Sequence, residues 1–110
     1  MKIGLLSDTH GYVHPKLFKF FEYCDEIWHA GDIGSKETSD AISAFKPLRA
    51  VYGNIDGQDI RLSCPLYQSF EADGLKVLMI HIGGYPGKYN PMALKLIKEI
   101  KPGLFISGHS

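Results

Sequence analysis

The chain has 110 residues, with 12 Lys and Arg against 12 Asp and Glu, a formal net charge of zero, and 45% hydrophobic residues. These proportions exclude a disordered or low-complexity chain, suit one domain over residues 1–110, and give no electrostatic reason to expect nucleic acid or an anionic membrane as partner. The longest stretch free of charge and proline, Val77 to Tyr85, is far short of the ~18 apolar residues of a membrane span, and the apolar run after Lys2 is too short for a signal peptide, so a cytoplasmic protein is expected.

In chain order, Ile3–Leu6 reads as a short buried strand. Pro15 can open a helix whose Leu17, Phe20, Phe21 and Cys24 recur at helical spacing as a core-facing stripe. Glu26–His29 reads as a second strand. Ser35 is the expected N-cap of a helix presenting Thr38, Ala41, Ile42 and Phe45 and ended by Pro47. Leu48–Tyr52 reads as a third strand, and residues 57–65 as irregular and polar. Tyr67–Ala72 and Leu75–Ile80 flank Asp73-Gly74, a tight-hairpin signal. Asn90-Pro91 supplies an N-cap and first-turn proline for a helix carrying Ala93, Leu96, Ile97 and Ile100. Pro102-Gly103 ends it, and Leu104-Phe105-Ile106 is the last apolar run. Alternating strands and amphipathic helices predict an α/β domain with an inserted antiparallel hairpin.

The residues just beyond each apolar run carry the chemistry. Ile3–Leu6 leads into Asp8 and His10, Ile27-Trp28 into Gly31-Asp32, and Ala50–Tyr52 into Gly53-Asn54-Ile55-Asp56. Leu78–Ile80 leads into His81, and Phe105-Ile106 into Gly108-His109. Singly, each is an ordinary turn or a satisfied histidine. Together they place carboxylate, imidazole and carboxamide at successive strand ends, where α/β sheets bind ligands, and these are ligands for borderline to hard divalent metals. No cysteine joins them. Cys24 and Cys64 form no CxxC pair and read as buried, reduced thiols.

The order Asp8-Thr9-His10, Gly31-Asp32, Gly53-Asn54-Ile55-Asp56, His81 and Gly108-His109-Ser110 resembles the calcineurin-like metallophosphoesterases, whose pattern is D-x-H, G-D, G-N-x-D/E, a lone His and G-H-x-H. His29-Ala30 before Gly31-Asp32 is similar to their small single-domain bacterial and archaeal phosphodiesterases. The resemblance implies an α/β sandwich of two mixed sheets flanked by helices. It implies that Asp8, His10 and Asp32 hold one metal ion and Asp32, Asn54, His81 and His109 a second, with Asp32 bridging. The cofactors implied are two divalent ions among Mn, Fe, Ni and Zn, with Mn favoured. The implied reaction is hydrolysis of a small-molecule phosphodiester by in-line attack of a bridging hydroxide.

Two departures stand out. Ile55 occupies the place where larger phosphatases of the family carry a His, which points to diesters or aryl esters whose leaving group needs little protonation. The G-H-x-H pattern stops at Ser110, so the domain is expected to be incomplete at its C-terminus, without the family's later strands and one ligand short in the first metal site. Weaker metal binding at that site and little turnover are the corresponding expectations.

Three rival readings compete. A non-catalytic metal-binding or interaction member of the same superfamily would keep the fold without the chemistry. A doubly wound nucleotide-binding domain would want a Gly-rich turn where Ser7-Asp8-Thr9-His10 stands. An aspartyl-phosphate enzyme would want a second Asp where His10 stands. Among other residues, His14 reads as a solvated loop or cap residue and His29 as a residue that orients others. The loop 83–90 lacks a P-loop ending; its Tyr85, Lys88 and Tyr89 read as loop packing near the metal mouth. A homo-oligomer is left open.

Overall fold

A computed structural model describes residues 1–85 and 87–109; the sequence expectations for the Tyr85 side chain and for Ser110 lie outside the described residues. Two three-stranded sheets form the frame. In the first, β1 (Ile3–Leu6), β2 (Glu26–His29) and β3 (Leu48–Ala50) are all parallel in that order, with Leu6 opposite His29 and His29 opposite Ala50. In the second, β4 (Tyr67–Ala72) pairs antiparallel with β5 (Leu75–Ile82), which pairs parallel with β8 (Leu104–His109). The β4–β5 turn has positive φ at both Asp73 and Gly74, as the Asp-Gly signal requires.

The sheets pack face to face because alternate residues of β5 serve two cores. Val77 and Met79 meet Trp28, Ala30, Val51 and Ile106 between the sheets. Leu78 and Ile80 face the other way, onto Ala93 and Leu96 of α4 (Pro91–Ile100). Continuing the period of two, His81 falls on the inter-sheet side at the carboxyl end of β5. The parallel pairings bring the carboxyl ends of β1, β2 and β3 to one end of the first sheet, and those of β5 and β8 to one end of the second.

The expected caps are present. The Ser35 side chain accepts from Thr38 N–H at the start of α2 (Lys36–Phe45), and the Asn90 side chain accepts from Met92 and Ala93 N–H at the start of α4. Four expectations are corrected. Residues 57–65 contain a helix, α3 (Gln58–Ser63), anchored by fully buried Ile60 against Ile33, Ala50 and Cys64; one anchoring residue in six leaves no periodicity to read. β3 ends at Ala50 rather than Tyr52. The Gly-rich loop holds a two-stranded ribbon, β6 (Gly84–Tyr85) with β7 (Lys88–Tyr89). Finally, α1 (Lys16–Phe20) is only five residues long, so helical spacing stops before the expected stripe ends. Phe21 packs tightly over Gly4, whereas Phe20 is 81% exposed. Ala41 of α2 is likewise exposed, and Cys24 is only half-buried, while Cys64 is buried.

Candidate metal centre

Backbone pairing continues past the strands and builds the site's floor. Ala30 N–H donates to Leu6 O, Asp8 N–H to Gly31 O, His10 N–H to Asp32 O and Gly11 N–H to Ile33 O, so the β1 and β2 loops remain zipped together. Asp8, His10 and Asp32 adopt left-handed backbone conformations, with φ of 58°, 52° and 59°. Such conformations cost a side-chain-bearing residue roughly 1 kcal/mol or more, and here the paired loops enforce them.

The result is a cluster of three of the six predicted residues, Asp8, Asp32 and His81, with His10, Asn54 and His109 around it rather than in it. Ligand atoms of Asp8, Asp32 and His81 all lie within 4.8 Å of one another. His10 Nε2 stands 3.5 Å from Asp8 Oδ1 and 4.0 Å from Asp32 Oδ2. The His109 ring lies beside His81, with centroids 5.6 Å apart. Asn54 lines, with His81, a cleft whose lining also includes Gly53. Asp32 is central: Oδ1 accepts from Ile55 N–H at 3.0 Å, and Oδ2 faces His81 Nε2 at 3.1 Å.

That last contact tests whether the residues suit a metal. His81 is 2% exposed, and its Nδ1–H donates to the Ala30 carbonyl at 2.7 Å, because a carbonyl can only accept. In the neutral ring Nε2 is then a lone pair, buried and without a hydrogen-bond partner, pointing at a carboxylate. Two acceptors at hydrogen-bond distance need a proton or a cation between them. The donor set of carboxylate oxygen and imidazole nitrogen, with an orienting hydrogen bond on the far side of the ring, fits a divalent metal. Partial burial pushes the Asp8 carboxyl up, but hydrogen bonding, foremost from the Ser7 hydroxyl donating to it, outweighs that effect and holds it below the ordinary carboxylate range.

Neighbouring residues explain the precision of the cluster. His29 does not reach it: Nδ1 accepts from Gly31 N–H, and Nε2–H donates to Thr9 Oγ1, which donates in turn to Ile33 O. Burial drives its pKa down from 6.5 to about 4, so it is a neutral staple under the Asp8–His10 turn. His14 is exposed, and its Nδ1 accepts from Lys16 N–H at the start of α1.

Sequence reasoning assigns no role to Asp56, which is buried and accepts from Ile33, Gly34 and Gly53 N–H, clasping the Asp32 loop to the Asn54 loop. The signal is its position three residues after Gly53, from which its side chain reaches back to accept from the Gly53 N–H. The glycines form turns, but close approach is their stricter role. A Cβ on Gly53 would overlap both the Asp32 side chain and its backbone nitrogen, and one on Gly31 would stand 2.6 Å from His81 Nδ1.

A family profile described as the calcineurin-like phosphoesterase superfamily domain matches residues 1–110. The chain belongs to this superfamily. A protein of Methanocaldococcus jannaschii named probable metallophosphoesterase is 34% identical over all of this chain and 58% of its own length. Another of that name from Methanothermobacter thermautotrophicus is 30% identical over all of this chain and 66% of its own length. The chain therefore spans about three-fifths of the length of the curated relatives it matches.

Among calcineurin-like structures, that of an archaeal phosphodiesterase superposes with a TM-score of 0.72 at 27% identity, covering 97% of this chain and 72% of the other. Vps29 of Chaetomium thermophilum superposes with a TM-score of 0.75 at 17% identity, covering 96% and 57%, a likeness of fold. The α/β sandwich expected from the sequence is thus the calcineurin-like fold. Among the described residues, no helix is long and apolar enough to cross a membrane.

Proposed function

We propose that this chain carries the core of a divalent-metal-dependent phosphodiesterase acting on a small-molecule phosphodiester. The observation that carries the reading is the unpartnered, buried His81 Nε2 facing Asp32 amid further oxygen and nitrogen ligands. Membership of the superfamily and the 27% identity to an archaeal phosphodiesterase support it. In this reading Asp8, His10 and Asp32 hold one ion and Asp32, Asn54, His81 and His109 a second, with manganese favoured.

Divalent ions held there supply Lewis acidity toward phosphoryl oxygens and acidify water near neutral pH. The chain's own residues do the rest. The Ala30 carbonyl holds His81 in the tautomer that leaves Nε2 free, and the Ser7 hydroxyl keeps Asp8 ionised. His10, Asn54 and His109 are exposed, so a phosphate ester meets the cluster from solvent. The Ile55 side chain carries no proton to give a leaving group, which favours diesters and aryl esters over alkyl monoesters.

The test is hydrolysis of bis(p-nitrophenyl) phosphate and p-nitrophenyl phosphate by the Mn-loaded full chain, with and without Asp32→Asn. Turnover that is slow in this chain but faster for the diester than for the monoester, and lowered by about a hundredfold or more in the variant, is the expected result. Bound metal without turnover favours the non-catalytic reading, and turnover of the monoester alone overturns the diester assignment.

A further inference from the structure

The cleft beside the metal cluster has a built wall. It holds about 370 Å³ and is lined by His81 and Asn54 together with Tyr52, Leu66, Ile80 and Met92. That volume suits one small organic group. Its cation is Arg61, from α3. The guanidinium carbon stands 4.5 Å from the centre of the Tyr52 ring, and Nε–H donates to Asp56 O at 2.7 Å. Over the Tyr52 ring and tethered through Nε, Arg61 is held in place as a lining residue of the cleft. Among the described residues it forms no ion pair with a carboxylate.

We infer that this cleft receives a planar aromatic ester group of the substrate, stacked on the Arg61 guanidinium and enclosed by the apolar side chains, while the phosphate lies at the metal cluster. Apolar walls favour an organic group over a second phosphate, and a guanidinium face held over a tyrosine ring selects a π-system above an alkyl chain. Because Arg61 is bonded to the carbonyl of Asp56, which clasps the Asp32 and Asn54 loops, the stacking face has a fixed position relative to the cluster. The inference rests on the phosphoesterase reading and adds to it the class of ester group.

Binding separates the two. The Zn-loaded full chain, whose metal is diamagnetic, is titrated with phenyl phosphate and methyl phosphate, which share the same dianionic head, and the Arg61 Nε–H resonance is followed by NMR. Hydrolysis of bis(p-nitrophenyl) phosphate is measured in parallel. Phenyl phosphate is expected to bind about tenfold tighter or better, since the ring leaves water, and to displace the Arg61 resonance by its ring current where methyl phosphate does not. Met92→Trp, which fills the cleft from its rim, removes the preference and leaves methyl phosphate affinity as it was. Arg61→Lys, which keeps the charge without the flat face, reduces the preference.

Equal affinities, no measurable binding of either ligand, or parallel loss of both in Met92→Trp overturns the cleft assignment, even where hydrolysis persists. Loss of hydrolysis with the phenyl preference intact overturns the phosphodiesterase reading and leaves the aromatic subsite standing.

Discussion

At the scale of single residues, the cluster of Asp8, Asp32 and His81 depends on atoms that leave no room for alternatives. Gly53 is the sharpest case, because any side chain there must displace Asp32. Gly53→Ala should therefore lower the stability of the metal-free protein by about 1–3 kcal/mol in urea unfolding and weaken Mn binding at the same time. Unchanged stability and affinity together would show that the two loops are not in close contact.

His29 makes a pH-dependent counterpart. Its folded pKa of about 4 lies below the ordinary 6.5, so the unfolded chain binds the extra proton between those values and folding is penalised there. The contribution is complete above pH 6.5 and is lost as pH falls toward 4, at up to about 1.4 kcal/mol per pH unit. Replacing the ring by an amide in His29→Gln should flatten that part of the stability profile, measured by urea midpoints between pH 4 and 7. An unaltered slope would assign the pH dependence to other groups.

At the scale of elements, the strands of the two larger sheets were legible as short runs bounded by punctuation, and their ends pointed to the candidate site, whereas the β6–β7 ribbon was not legible. The helices were legible where caps and stripes coincide, as with Ser35 for α2 and Asn90 for α4. Removing the Asn90 cap, which holds two N–H groups, should cost about 1 kcal/mol in Asn90→Ala, read by thermal or urea unfolding. Where a helix is too short for periodicity to accumulate, the pattern misled: α1 turns Phe21 inward over Gly4 and leaves Phe20 in solvent, and α3 is anchored by Ile60 alone.

The loops gave the least signal for the most consequence. Asp56 sits inside a legible motif, yet its work is to accept three N–H groups, from a loop 22 and 23 residues away and from its own turn. Asp56→Asn presents an amide N–H₂ to at least one of those donors. A loss of about 1–3 kcal/mol and a disordered Asp32 loop, seen as broadened Ile33 and Gly34 amide resonances, are the expected outcomes.

At the scale of the whole molecule, the cluster straddles the seam between two sheets: Asp8 and Asp32 lie just past strands of the first, while His81 and His109 end strands of the second. An ion bound there cross-links the layers in the folded state only. Manganese at one hundred times its dissociation constant should stabilise the fold by about 2.7 kcal/mol, reversibly with chelator, and the increment should vanish in Asp32→Asn. A Tm indifferent to manganese and chelator would contradict a seam-spanning metal site.

By itself the sequence determined a set of residue types and their order. Buried strands, capped helices and the Asp, Asn and His at strand ends are local properties, written in neighbouring residues and in short periods. The tertiary structure decided which of those residues meet. Parallel pairing and sheet-on-sheet packing bring Asp8, Asp32 and His81 within 4.8 Å across gaps of 24 and 49 residues. The left-handed turns, the glycines without room for a Cβ and the Asp56 clasp all depend on atoms remote in the chain. No local pattern encodes those contacts, because each exists only once separate strands have paired and brought their loops together.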